Sequence, residues 1–141
     1  METNQSNKES LLSKEVILWA IANSNSDFER FYKQYKNQLY INDNLLDGFV
    51  EKAWRIIMED EENVQLAEQY EKNQKQMKKY SISGISAMSI VFAVIFLLGF
   101  HLRIHRSKEG KWDVLIEYKA PENSLNRDLI EMVKEIIHPN I

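Results

Sequence analysis

The chain has 141 residues, enough for one ordinary domain or two very small ones. Its 21 carboxylates outnumber 18 basic side chains, a net charge of −3, so it lacks the cationic excess with which nucleic-acid binders displace counterions from phosphate. No cysteine occurs, which excludes disulfides, thiolate metal sites and cysteine nucleophiles; four glycines and two prolines are too few for a turn-rich β architecture.

The first ten residues are polar and carry no apolar h-region of a secretory signal. Ser6 and Glu9 have the spacing of a capping box ahead of Leu11, Leu12, Val16, Trp19 and Ala20, a stripe that ends near Asn23. Ser26 with Glu29 repeats the box before Phe28, Phe31, Tyr32, Tyr35 and Leu39 at helical spacing. Asn42 or Asp43 can cap a third helix with Leu46, Phe49, Val50, Ala53, Trp54 and Ile57 on one face. Residues 1–60 therefore read as a small helical bundle. The aromatic stripe Phe28, Phe31, Tyr32 and Tyr35 has two readings: the core of that bundle, the commoner fate of such rings, or a face for a protein partner.

Residues 59–62 are all acidic and suit a helix N-terminus, where negative charge complements the macrodipole. From 61 to 80 the chain is mostly Glu, Gln, Asn and Lys, which predicts a solvated stalk helix with Glu68–Lys72 and Glu71–Lys75 pairs at i, i+4.

Residues 80–102 contain no Asp, Glu, Lys or Arg. About 20 helical residues cross a hydrocarbon core of roughly 30 Å. Lys75, Lys78 and Lys79 close the stretch on one side, Arg103 and Arg106 on the other. The pattern predicts a transmembrane helix over 81–102 that presents Ile85, Ile90, Val91, Phe92, Val94, Ile95, Phe96, Leu97, Leu98 and Phe100 to lipid. As a buried core element instead, the stretch would require the rest of a small chain to surround some twenty uncharged residues. Ser83 with Ala87 and Ser89 with Ala93 stand at i, i+4, a spacing that permits a homodimer through close helix approach in lipid. Flanking cations are balanced, and without a signal the N-terminus is expected in the cytoplasm.

Residues 103–141 predict a small β-β-α unit. Residues 102–106 and 112–118 alternate as strands around a turn at Gly110, and Asn123 or Ser124 caps a helix through Leu125, Leu129, Ile130, Val133, Ile136 and Ile137 that Pro139 stops. His101 and His105 share i, i+4 spacing, but no HExxH pattern accompanies them and a catalytic zinc needs three protein ligands. The acidic run has neither the spacing nor the turn glycine of an EF-hand, and no phosphate-binding glycine loop or GxSxG elbow occurs. No catalytic residue, metal site or cofactor is expected.

One resemblance attaches to specific residues. Phe49-x4-Trp54, the acidic run at 59–62 with Asn63, Ala67-Glu-x-Tyr70, a lysine-rich tail and one span together resemble the small helical domain that precedes the membrane helix of many bacterial anti-sigma factors. The likeness covers about 50 residues, and the sensor domain usual beyond such a span has no counterpart after it. It implies a membrane-tethered regulator of transcription. Together these features predict a mainly α, single-pass membrane protein. It acts as a non-enzymatic accessory or regulatory subunit that binds a protein partner through its helical N-terminal region. The alternatives are the anti-sigma-like regulator and a soluble helical interaction domain with the apolar run buried.

Overall fold

The computed structural model describes residues 13–73, 85–117 and 124–139. Helix α1 (Lys14–Asn23) starts at Ser13, whose Oγ accepts the Val16 N–H at 3.2 Å. Helix α2 (Ser26–Tyr35) is capped one residue before the expected serine, by Asn25. A short strand β1 (Leu39–Ile41) follows. Asn42 caps a 3-10 turn (Asp43–Leu45) that runs into α3 (Leu46–Ile57), and Asp60 caps α4 (Glu61–Lys72). Then come α5 (Ala87–Leu98), the strands β2 (His101–Arg106) and β3 (Trp112–Glu117), α6 (Ser124–Ile136) and β4 (Ile137–Pro139). The molecule is mainly helical, and β2 and β3 form the antiparallel hairpin expected around Gly110. The alternation had not pointed to β4, which pairs antiparallel with β1 (Tyr40 opposite His138) and ties the end of the chain to its first half. The Ser6 box, Leu11, Leu12, Ser83 and the lysines at 75, 78 and 79 lie outside the described residues.

The expected transmembrane helix is not there. Ser86 starts α5, its Oγ accepting the Ser89 N–H at 3.1 Å, and twelve residues at about 1.5 Å each give only about 18 Å. Gly99 ends it at φ 77°, a left-handed conformation that costs other residues about 1–2 kcal/mol, and the chain turns directly into β2. Among the described residues no helix is long and apolar enough to cross a membrane.

What was assigned to lipid is instead core. Helices α1, α2 and α3 and strand β1 pack around α5. Ile90, Val91, Phe92, Val94 and Ile95 are at most 3% exposed, Ile85, Leu98 and Phe100 are also buried, and Phe96 and Leu97 are half-buried against the same cluster. A helix apolar on all sides is either a membrane span or a buried element, and here the chain itself supplies the walls. Ala93 is fully buried, so it presents no small-residue face to a second helix in lipid.

Two further expectations change for the same reason. Helix α1 serves two layers: Val16, Leu18, Ala20 and Ala22 enter the main core, while Ile17 and Ile21 meet Ala67 of α4 in a smaller cluster. Helix α4 is therefore packed, not a free stalk. Tyr70 secures it, its hydroxyl donating to the Ala20 carbonyl at 3.2 Å. No Glu68–Lys72 ion pair forms, and Lys75 falls outside the described residues.

The aromatic stripe of α2 lies on α5. Phe28 meets Phe96 edge-on at 5.4 Å, Phe31 meets Phe92 at 6.1 Å and 87°, and Tyr32 meets Phe92 at 5.7 Å and 70°. These are the offset geometries that the ring quadrupole favours. Tyr35 is buried and its hydroxyl donates to the Leu102 carbonyl at 2.7 Å, holding the open edge of β2 to the bundle. Burial raises its pKa above the ordinary tyrosine value of 10.0, because the phenolate would lose its hydration. The folded state thus favours the protonated form. Its contribution to stability is whole below pH 10.0 and is lost as pH rises through the raised folded value. Tyr35→Phe is expected to cost about 1–3 kcal/mol at neutral pH by stranding the Leu102 carbonyl, and to shrink that alkaline loss; urea unfolding at pH 7 and pH 11 checks both.

Candidate functional site

Most side chains singled out from sequence are spent on packing. Phe28 and Tyr35 are buried, Phe31 and Tyr32 are half-buried against α5, and the residues assigned to lipid fill the centre. His101 and His105 stand on a strand instead of a helix. At about 3.3 Å per residue they are about 13 Å apart, beyond any shared metal. Among the described residues no group of three or more His, Asp or Glu could hold a metal ion. The His138 ring stacks on Tyr40 at 5.2 Å, with Nε2 2.7 Å from the Glu135 carbonyl, so it closes the β1–β4 pair.

The described surface carries several open grooves. One of about 560 Å³ runs between β3 and the end of α6, past Leu115, Glu117, Lys134 and His138. Another, of about 380 Å³, lies between Trp19, Phe28 and Tyr32, with Asn23, Asn25 and Glu29 at its mouth. Both mix polar and apolar walls. A third is of a different kind. It holds about 520 Å³ between α1, α3 and α4, and Ile17, Trp54, Met58, Val64 and Ala67 form its interior. Glu68, Glu71 and Lys72 complete its lining.

Local sequence explains this groove. Phe49, Val50, Ala53 and Ile57 commit one face of α3 to the core, which leaves Trp54 and Met58, one turn apart, on its shoulder. On α4, Val64, Ala67 and Glu68, then Glu71 and Lys72, follow the i, i+3, i+4, i+7 ridge of a single face. Ala67 is too small to fill the space between the two helices, so a channel remains above it, with Ile17 of α1 in its lining. Lys14 fixes one side of the Trp54 ring, its Nζ 5.6 Å from the ring centre while it pairs with Glu51 at 2.9 Å. The interior holds no nucleophile or acid–base pair; its chemistry is apolar contact, with charge confined to α4. Sequence reasoning missed the groove because Val64, Leu66, Ala67 and Tyr70 are dispersed among polar residues, and such a helix reads as solvated.

Comparison with protein families, with curated proteins and with solved structures finds no match to this chain. The residues behind the anti-sigma resemblance have definite places: Phe49 in the core, Trp54 in the groove, Tyr70 bonded to α1. The span that completed that likeness is the core helix α5.

Proposed function

We propose that the chain is a small non-enzymatic interaction module that holds a helical segment of a protein partner in the groove between α1, α3 and α4. The groove itself carries this reading: an apolar channel open to solvent along two turns of α4. Helix-in-groove docking is the recognition mode that an elongated apolar channel between helices suits. Small-ligand sites instead converge a few polar groups on an enclosed floor to fix orientation. Here Ile17 and Ala67 are buried, Trp54, Met58 and Val64 are half-buried, and the charged lining residues follow α4. The proposal keeps partner binding by the N-terminal helical region and gives the apolar run a purpose as the scaffold behind the groove.

Site-specific photocrosslinking tests it. A photoreactive side chain at Val64 is expected to give one crosslinked partner in the native cell, with the adduct on a helical segment of that partner. The same group at Lys108, on the hairpin turn, should give none of it. Equal adducts from both positions, or none from Val64, would remove the groove as the binding site.

A further inference from the structure

The charge around the groove identifies the chemistry of its occupant, on the reading that the groove docks a helix. Between Arg55 and Lys72 the chain carries six carboxylates against these two cations, a net of −4 that exceeds the net −3 of the whole protein. The acidic excess of the molecule is therefore concentrated on α4 and the turn leading into it.

Part of this charge has a structural task. Asp60 accepts the Glu62 N–H at 3.0 Å, and Glu61 and Glu62 lie in the first turn, where negative charge complements the helix. Glu68 and Glu71 have no such account. Glu71 lies in the last turn of α4, where the macrodipole disfavours carboxylates, and Glu68 stands three residues before it. Ion pairs elsewhere engage Glu29, Glu51, Glu117, Asp128 and Glu131, yet among the described residues neither Glu68 nor Glu71 has a cation within ion-pair distance. Both line the groove. Two carboxylates beside an apolar channel, neither in an ion pair among the described residues and one of them opposing its own helix, complement cations that arrive with the ligand.

We infer that the occupant is a basic amphipathic helix, with lysine or arginine flanking the apolar stripe that enters between Trp54, Met58 and Ala67. Such charge complementarity sets association rate and specificity more than total affinity and weakens as salt screens it.

The test uses the whole chain and two synthetic peptides of about eighteen residues, long enough to form a helix, with the same leucine stripe and either lysine or glutamate beside it. Binding is read by the indole N–H signals of ¹⁵N-labelled tryptophan. The lysine peptide is expected to shift Trp54 and leave Trp112 unmoved, and to bind at least about tenfold more tightly than the glutamate peptide at low salt, a margin that collapses in high salt. The surface double variant Glu68→Lys, Glu71→Lys, checked for unchanged circular dichroism, should reverse the preference. Equal binding of both peptides at Trp54 would overturn the charge inference and leave helix docking standing. No response at Trp54 from either peptide would overturn both. A Trp54 signal that moves with the protein's own concentration, together with a doubled mass in light scattering, would make a second copy the occupant and overturn the inference.

Discussion

Phe92→Ala is expected to destabilise the chain by about 3–5 kcal/mol, a large part of the total stability of a domain this size. Phe92 is fully buried at the middle of α5, and its ring is met edge-on by Phe31 and Tyr32 of α2. Truncation removes the transfer energy of the ring and leaves a cavity that helices held from several sides close only in part. It also ends two aromatic contacts, each worth about 0.5–1.5 kcal/mol beyond its area. Urea unfolding in detergent-free buffer, followed by far-ultraviolet circular dichroism, measures the change. Because the walls around α5 belong to the same chain, the parent protein should unfold cooperatively there without lipid or detergent. A cost below about 1 kcal/mol would mean that the ring is not enclosed as described.

The secondary structure was largely legible. Asn42 as a cap, the α2 and α3 stripes, the hairpin around Gly110 and the last helix follow from capping chemistry, periodicity and a glycine at positive φ. The length of the apolar helix was not legible: the expectation is a helix over 81–102, and α5 covers only Ala87–Leu98. Freedom from formal charge over 80–102 suggests continuity, whereas Ser86 caps the start of α5 and Gly99 its end, leaving a helix of twelve residues. The arithmetic of coverage then failed for a physical reason. The helix to be enclosed has only twelve residues, and α1, apolar on nearly every face, adds one wall to α5 and another to α4. That dual role depends on which helices meet, and no pattern within α1 distinguishes it from a one-sided core helix. The groove was invisible for a related reason: Trp54 and Ala67 become neighbours only once α3 and α4 are packed, and each is unremarkable in its own helix.

The second large effect concerns how the two ends of the chain cohere. Leu129→Ala in α6 is expected to cost about 2–5 kcal/mol, and to cost it to the whole molecule. Leu129, Val133 and Ile136 are fully buried in the same cluster as Phe49, Phe92 and Ile95, and α6 packs on α3 and on the 3-10 turn before it. The β1–β4 pair adds a second link, and the Asn42 N–H donates to the Ile136 carbonyl at 2.7 Å. A β-β-α unit standing alone would bury too little surface to be stable, so its order has to be drawn from this shared core. Two single-tryptophan variants separate the cases, one keeping Trp19 in α1 and the other Trp112 in the hairpin. With one core, both report the same urea midpoint, and Leu129→Ala moves both together. If the hairpin melts first and Trp19 keeps its midpoint in the Leu129→Ala background, the C-terminal unit is an appendage. The groove would then rest on the first four helices and α5 alone, and its affinity for a helix should survive the loss of α6. With a single core, Leu129→Ala instead lowers groove occupancy in step with the folded fraction, although Leu129 is no part of the lining.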